Sequence, residues 1–343
     1  MALIAEEAAT YLDFYLEPLR RFLGDPDITD VYINRPQEVW TESLGGRIER
    51  YVVESLTEAA LWRLARQIAN NSHQGVSRRH PLLAATLPDG SRVQIVAPPA
   101  AREGMALAFR KHAAHAPDLS SYERHHPSPD TRSTRKPDLA APASWGGYEG
   151  FLRDAVRRRL NLVISGGTSS GKTTLMNSLL QEVDRGERII LIEDTPELKL
   201  AHDNAVGLVA VRGGEGESEV TSIDMLQAAL RMRPDRILLG ELRGPEAFTF
   251  LRAINTGHPG SMTTLHADGP EQALTQLAMM ALQAGSGISF AELREVIGEM
   301  VDAVVQLERV GEQRRIVEVH TLRASSRAVA SVPVDRIAVE SAP

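Results

Sequence analysis

The sequence of 343 residues contains no cysteine. This absence excludes disulfide bridges, thiolate-ligated zinc or iron–sulfur sites, and a cysteine nucleophile. Aromatic residues are scarce, at 5% of the chain, which disfavours a stacking surface for single-stranded bases. A basic excess is also missing, because 45 acidic and 38 basic residues give a formal charge of -7, whereas strong nucleic-acid binders are usually basic. We therefore expect no direct sequence-specific contact with nucleic acid.

Long hydrophobic runs are absent as well. The longest uncharged segment, residues 272–290, carries Gln, Thr, Ser and Gly throughout, so it does not indicate a membrane span. The first ten residues lack the basic and apolar stretches of a signal peptide. With 43% apolar and 24% charged residues, the chain is expected to be soluble, cytoplasmic and folded into about two domains.

Composition and periodicity divide the chain into four parts. Residues 1–110 combine helical and alternating patterns, which predict a small N-terminal α/β domain. Residues 111–147 are rich in histidine and proline and lack periodicity, as expected of an interdomain linker. Strands and helices alternate over 148–323, which predicts a mostly parallel sheet with helices on both faces and a closing hairpin around Gly311. Residues 324–343 are expected to be a flexible tail.

Local signals give the N-terminal domain more detail. Periodicity predicts an opening helix over residues 3–22 and strands over 28–34 and 47–53. Thr57 is the expected N-cap of the next helix. Pro88-Asp89-Gly90 between two apolar runs indicates a hairpin.

The strongest motif is a glycine-rich loop that matches G-x-x-x-x-G-K-[ST] between a predicted buried strand and a predicted helix. Glycines let successive backbone N–H groups turn toward phosphate oxygens, and the following helix adds its positive end. Lys172 supplies charge to the β- and γ-phosphates, and the Thr173 hydroxyl is a ligand for Mg²⁺. The chain is therefore predicted to bind a nucleoside triphosphate with Mg²⁺. The predicted nucleotide-binding residues are Gly166, Gly167, Thr168, Ser169, Ser170, Gly171, Lys172, Thr173 and Thr174.

Two glutamates follow apolar strands. Glu193 ends RIILIE and Glu241 follows RILLG, and strand carboxyl ends line the ligand crevice of an open α/β sheet. A charge directly after a buried strand needs a partner, which metal and phosphate would supply. Asp194 should point away from the site. Because Gly240-Glu241 stands where a Walker B aspartate is usual, the sequence leaves open which of Glu193 and Glu241 activates water.

Histidines suggest one further site residue. His266 ends the strand in TGHPGSMTTLHA, near the expected γ-phosphate, and is predicted to contact or sense that phosphate. His258 is a weaker candidate. The linker pair His125-His126 has no carboxylate or third histidine at ligand spacing, so no metal site is predicted there.

Four ordered segments together resemble the traffic ATPases of bacterial secretion, and most of all those of type IV secretion systems: GGTSSGKTT, LIEDTPEL, RMRPDRILLGELRGPEA and TGHPGSMTTLHA. DPDITDVYINRPQEVW and LAFRKH are similar to the same branch. The resemblance covers residues 10–322. It implies a RecA-like P-loop NTPase C-terminal domain plus a smaller α/β N-terminal domain.

The resemblance also implies a function and partners. The chain would hydrolyse ATP with Mg²⁺ as a homo-hexamer and drive pilus assembly or the export of DNA or effector proteins. It would work with other inner-membrane and cytoplasmic secretion subunits, in peripheral contact with the cytoplasmic face of the inner membrane.

Residue roles carried over from the resemblance complete the expected site. Lys172 and Thr173 would hold phosphate and Mg²⁺, and Glu241 matches the Walker B carboxylate at the metal. Glu193 matches the acidic-box carboxylate, and His266 matches the histidine-box residue.

Arginines form the last set of candidates. Arg92 in DGSRVQ and Arg110 in LAFRK match N-domain arginines that reach the phosphates on domain closure. Guanidinium groups stay charged and can fork onto phosphate oxygens, which stabilises the transition state. Less specific candidates are Arg231, Arg233 and Arg243.

Other functions stay open at this point. A type II secretion or type IV pilus ATPase often carries a four-cysteine zinc module, which this chain cannot have, although many relatives lack it too. A DNA translocase and a non-hydrolysing ATP-binding scaffold are further alternatives. The length of the linker would also permit the N-terminal domain to lie over a neighbouring subunit.

Overall fold

The computed structural model describes residues 11–111, 147–210 and 217–322, which form two compact units. The first unit comprises residues 11–111, 185–196, 202–210 and 217–234, and the second comprises residues 147–184, 197–201 and 235–322. The predicted linker, except for its two ends, and the predicted tail lie outside the described residues. The proposed domain boundaries therefore stay a prediction.

Both units combine strands and helices. The strands are β1 (Ile28–Ile33), β2 (Glu38–Ser43), β3 (Ile48–Val52), β4 (Leu82–Thr86), β5 (Arg92–Val96), β6 (Ala106–Arg110), β7 (Leu162–Gly166), β8 (Ile189–Glu193), β9 (Ala205–Val209), β10 (Arg236–Leu239), β11 (Met262–Leu265), β12 (Ala303–Val310) and β13 (Gln313–Thr321). Besides a single helical turn over Arg20–Leu23, the helices are α1 (Glu58–Asn71), α2 (Tyr148–Arg157), α3 (Lys172–Gln181), α4 (Ser222–Arg231), α5 (Glu246–Asn255), α6 (Pro270–Leu282) and α7 (Phe290–Met300). Within the described ranges, none of the helices has the length and apolarity needed to cross a bilayer.

An antiparallel sheet in the order β3-β2-β1-β6-β5-β4 carries the core of the first unit. Val31, Phe109 and Val93 lie side by side across β1, β6 and β5 in one row of this core. Helix α1 packs its buried face, including Leu61, into the same cluster. The predicted cap is confirmed, because Thr57 Oγ1 accepts a hydrogen bond of 3.3 Å from the N–H of Ala60.

The start of the first unit differs from the prediction in two places. Residues 11–16 are helical, but a 3₁₀ turn over Glu17–Leu19 interrupts the predicted opening helix, since Pro18 has no N–H for the helical ladder. Strand β2 was not predicted, because EVWTES has little apolar alternation. Its backbone pairs with β1 on one side and β3 on the other, which compensates for its weak pattern.

A buried arginine attaches the parallel pair β8 and β9 to β1 within the first unit. The side chain of Arg188 is 1% exposed, and its Nη1 donates hydrogen bonds of 2.6 Å to Oδ1 of both Asn34 and Asn204. Its guanidinium lies 4.1 Å from the centre of the Tyr32 ring. A buried charge needs such partners, so this network fixes the strand that ends at Glu193.

The second unit confirms the predicted α/β class and the closing hairpin. Its strands follow the order β13-β12-β7-β11-β10. Pairs β10–β11, β11–β7 and β7–β12 are parallel, and β12–β13 is the antiparallel hairpin that turns at Gly311. Because β7 is central, the loop that follows it lies between two neighbouring strand ends.

Asp302, just before β12, is a buried carboxyl at the amino-terminal edge of this sheet. It accepts a hydrogen bond of 2.8 Å from the N–H of Asn161. Burial is the main cause of a raised pKa, about 6 against an ordinary 3.8, and the Asn161 bond opposes this rise. The folded state therefore holds this proton more tightly than the unfolded state does.

We predict that Asp302→Asn removes a pH-dependent loss of stability. Because the native pKa is raised, the carboxyl lowers the free energy of unfolding as pH rises from about 4 to 6, and the loss is complete above the native pKa. The variant should therefore gain about 2 kcal/mol relative to the wild type between pH 4.5 and pH 7. Urea unfolding across this range measures the difference. The exposed Asp27→Asn is the control, and parallel pH curves for the wild type and Asp302→Asn would contradict the prediction.

Candidate functional site

The glycine-rich loop between β7 and α3 requires glycine at both ends. Gly166 has φ +156° and Gly171 has φ +96°, which side chains rarely adopt. A Cβ at Gly166 would lie 2.5 Å from the carbonyl oxygen of Leu307 and 2.6 Å from Ser170 Oγ. The loop can therefore close against β12 only with glycine at this position.

Lys172 extends along the inside of this loop. Its side chain is largely buried, and Nζ donates hydrogen bonds of 2.9 Å and 3.0 Å to the carbonyl oxygens of Gly166 and Gly167. Burial is the main cause that lowers the pKa of the Lys172 ammonium; Glu241 opposes this shift and Arg243 adds to it. The ammonium lies at the loop that the sequence predicts to hold phosphate.

His266 connects Lys172 to Glu241. Lys172 Nζ lies 3.2 Å from His266 Nδ1, and His266 Nε2 lies 3.1 Å from Glu241 Oε1. A neutral imidazole with its proton on Nε2 satisfies both contacts, since Nδ1 then accepts and Nε2 donates. Arg243 Nη2 donates to the second oxygen of Glu241 at 2.5 Å. Each carboxylate oxygen of Glu241 is thus in contact with one donor side chain.

Strand register brings these side chains to one edge of the sheet. Leu265 pairs with Ser165, so His266 and Gly166 lie at the same level at the carboxyl ends of neighbouring strands. Parallel pairing of β10 with β11 brings Glu241 to this edge as well. His258 precedes β11, which puts it at the opposite edge and outside the cavity described next.

A cavity of about 340 Å³ opens over the loop. Its lining residues are Thr168, Ser169, Ser170, Gly171, Lys172, Thr173, Thr174, Glu197, Glu241, Thr264, His266 and Arg314. Ser170 Oγ is buried and has no hydrogen-bond partner among the described residues. Turning backbone, an ammonium and hydroxyls fit a phosphate chain.

The donor set also fits Mg²⁺. Thr173 offers a hydroxyl and Glu241 a carboxylate in the same cavity. The described ranges contain no group of three or more His, Asp or Glu side chains arranged for a metal. Mg²⁺ at nucleotides is usually held by one or two protein oxygens together with phosphates and water, so this small set suits it.

Three lining residues were not predicted from the sequence. Thr264 lies two residues before His266, so strand alternation could have indicated it. Glu197 belongs to the acidic segment LIEDTPEL, in which only Glu193 was singled out. Arg314 lies on the closing hairpin, and no short motif in the sequence points to it.

Glu193 belongs to the first unit, where it forms a buried ion pair. Its side chain is 3% exposed, and Arg102 Nη1 donates to its Oε2 at 2.8 Å. Arg102 was not predicted, because it lies in a loop between β5 and β6 without a motif. Asp194 accepts a hydrogen bond of 3.4 Å from Ser222 Oγ.

Arg92 and Arg110, also in the first unit, are direct neighbours across β5 and β6. Both are exposed, and Asp30 lies opposite Arg110 across β1 and β6, where the two interact electrostatically. Two like charges side by side repel each other, and an anion between them would relieve this repulsion. Of the weaker arginine candidates, Arg233 donates to Glu42 at 2.8 Å.

Comparisons with known proteins agree along nearly the whole chain. Residues 146–331 match the family model described as Type II/IV secretion system protein. Type IV secretion system protein VirB11 of Bartonella quintana is 35% identical over 325 residues, which are 89% of this chain and 91% of that protein. Type IV secretion system protein PtlH of Bordetella pertussis is 39% identical over 327 residues, which are 92% of this chain and 96% of that protein.

A solved structure extends this similarity to three dimensions. The crystal structure of the VirB11 ATPase from the Brucella suis type IV secretion system, in complex with sulphate, superimposes with a TM-score of 0.84. The two sequences are 38% identical, and the match covers 93% of this chain and 96% of that one. The expected RecA-like P-loop fold with a smaller N-terminal domain is thereby confirmed.

We predict that Arg102→Met destabilises the protein by leaving the buried Glu193 carboxylate without its guanidinium. The free energy of unfolding should fall by about 3 kcal/mol. Glu193→Gln in the same chain should recover part of this loss, because it removes the buried charge that Arg102 balances. Chemical denaturation of the single and double variants measures both effects. Arg79→Ala, which breaks an exposed pair with Glu219, is the control and should leave stability unchanged; additive losses in the double variant would contradict the prediction.

Proposed function

Because the chain belongs to the Type II/IV secretion system protein family, we propose that it powers type IV secretion as a hexameric Mg²⁺-ATPase. The family makes the chain a nucleotide-binding, ATP-hydrolysing enzyme of type IV secretion. Hexamer formation, the use of Mg²⁺ and the roles of individual residues are the finer parts of the proposal. The observation that carries it is the contact chain from Lys172 through His266 to Glu241 at a cavity that fits a phosphate chain.

The phosphate chain of ATP would occupy the cavity over the glycine-rich loop. Backbone N–H groups of the loop and the amino end of α3 would bind the phosphate oxygens. Lys172 would exchange its bonds to the loop carbonyls for bonds to the β- and γ-phosphates, which provide a stronger, charged acceptor. Bound Mg²⁺ would be held by Thr173 and Glu241 and would neutralise charge on the phosphates.

Hydrolysis also needs a carboxylate that orients and deprotonates water. Glu241 and Glu193 are the two candidates, and their environments differ. Glu241 contacts His266, whose side chain is about half exposed and is therefore able to move with the γ-phosphate. Glu193 is held by Arg102 in the first unit. We propose His266 as the residue that senses the γ-phosphate, because it contacts both Lys172 and Glu241.

Arg92 and Arg110 would supply positive charge in the transition state. Their pairing across two strands gives two guanidinium groups that act together on phosphate oxygens. Loss of either one should therefore affect turnover more than nucleotide affinity.

The remaining partners follow from the names of the relatives. VirB11 of Bartonella quintana and PtlH of Bordetella pertussis are both named type IV secretion system proteins. We propose that this chain likewise works with other inner-membrane and cytoplasmic secretion subunits, in peripheral contact with the inner membrane. The exported cargo would be DNA or effector proteins, or the motor would drive pilus assembly.

We predict that ATP turnover per subunit rises with protein concentration and disappears in Lys172→Ala. A ring brings subunits together, so its activity should follow assembly, and the alanine variant loses the charge that contacts the phosphates. Phosphate release over a concentration series, with sedimentation at the same concentrations, measures both quantities. Turnover that is flat with concentration would contradict the ring, and turnover retained in Lys172→Ala would contradict the site.

We predict that Arg110→Ala lowers kcat about 100-fold or more and leaves nucleotide affinity within about threefold, as expected of a guanidinium that acts in the transition state. Arg63→Ala, on the exposed face of α1 in the same unit, is the matched control and should behave as the wild type. Steady-state turnover and equilibrium binding of ATP separate the two effects. Equal losses of turnover and affinity would assign Arg110 to binding only.

A further inference from the structure

Arg314 lies across the glycine-rich loop although it is far from the loop in sequence. It is the second residue of β13, on the hairpin that closes the second unit. A Cβ at Gly171 would lie 2.9 Å from Arg314 Cδ and 3.7 Å from its Cγ, so the aliphatic part of the side chain covers this glycine. The same side chain lines the cavity over the loop. Gly171 is required for its φ of +96°, and the Arg314 side chain lies over the face that its missing Cβ leaves open.

The guanidinium of Arg314 differs from the charged groups of Lys172 and Arg243 in having no hydrogen-bond acceptor among the described residues. Lys172 donates to two loop carbonyls, and Arg243 donates to Glu241. Arg314 makes no hydrogen bond or ion pair with any residue in the described part of the chain. A guanidinium has five donors in a rigid fork suited to phosphate, and the aliphatic stem of Arg314 lies over the loop.

The position along the loop indicates which part of a nucleotide Arg314 would meet. In loops of this kind the backbone cradles the α- and β-phosphates, whereas the lysine reaches the β- and γ-phosphates. Lys172 Nζ contacts His266, which continues to Glu241, so these side chains mark the γ-phosphate end. Arg314 instead covers the backbone at Gly171, where α3 begins.

We propose that Arg314 binds the α- and β-phosphates of the nucleotide and holds ADP as firmly as ATP. This inference rests on the proposed function, since it places a further residue at the same nucleotide. Arg314 is a binding residue in this proposal and takes no part in cleavage of the γ-phosphate. Its loss should weaken the binding of ADP and of ATP by the same factor.

Equilibrium binding of ADP tests the proposal without any turnover. A fluorescent ADP analogue is displaced from the full chain by unlabelled ADP or by a non-hydrolysable ATP analogue. Arg314→Ala should raise the Kd of both about tenfold, as expected for loss of one charge-assisted bond. Arg314→Lys keeps the charge and should recover part of the affinity. Arg315→Ala is the matched control, because the neighbouring residue points to the other face of the strand and donates to Gln313.

Other results of the Arg314→Ala binding experiment would give Arg314 a different role or no role. Wild-type affinity for ADP in Arg314→Ala would overturn the proposal. Weaker binding of the ATP analogue alone would place Arg314 at the γ-phosphate and overturn its assignment to the α- and β-phosphates. An unchanged melting temperature in Arg314→Ala shows that any loss of affinity is local. Failure of the wild type to bind ADP, or full binding in Lys172→Ala, would instead contradict the proposed function itself.

Discussion

The buried ammonium of Lys172 forms the interaction on which the chemistry of the second unit depends. A charge removed from water must be compensated, and the carbonyl groups of Gly166 and Gly167 do so only because the loop turns back over its own helix. This backbone conformation requires glycine, because a Cβ at Gly166 would clash with the carbonyl oxygen of Leu307. Chain turn, buried charge and strand packing therefore depend on one another. Phosphate would offer the ammonium a stronger acceptor than a carbonyl, so a nucleotide would keep the charge compensated.

Electrostatic arrangement distinguishes the carboxylates of the two units. Glu241 is held from both oxygens, by His266 and Arg243, at an open cavity where a ligand could exchange with either partner. Glu193 is buried against Arg102 in the first unit, so its charge is compensated within the protein. Arg92 and Arg110 show the opposite situation, because two exposed guanidinium groups lie side by side. Asp30, opposite Arg110 on β1, offsets part of this charge, and the remainder attracts a polyanion.

Sequence motifs predicted those parts of the site whose position depends on residues close together in the chain. The glycine-rich loop, Glu241 and His266 each directly follow a strand, and parallel strands end at the same edge, so a pattern of apolar runs sufficed to place them together. Strand β2 was missed because its stability comes from pairing on both sides rather than from its own residues. Arg314 and Arg102 were missed for a related reason. Arg314 lies on a hairpin that meets the glycine-rich loop only after folding, and Arg102 lies in a loop that meets Glu193 only after folding. No local spacing in the sequence records either contact.

The amino-terminal edge of the second unit's sheet explains why the opposite edge is so well aligned. The side chain of Asn161 accepts from the N–H of Gly260 at 2.9 Å and donates to the carbonyl of Met300 at 2.8 Å, just before β11 and β12 begin. Asp302 binds the backbone of the same asparagine. Three parallel strands thus start in a fixed register. Since a strand advances by a constant rise per residue, the register persists to the other end, where Gly166 pairs with Leu307 one residue beyond the Ser165–Leu265 pair. A buried polar network at the opposite end of these strands therefore sets the position of the phosphate-binding loop.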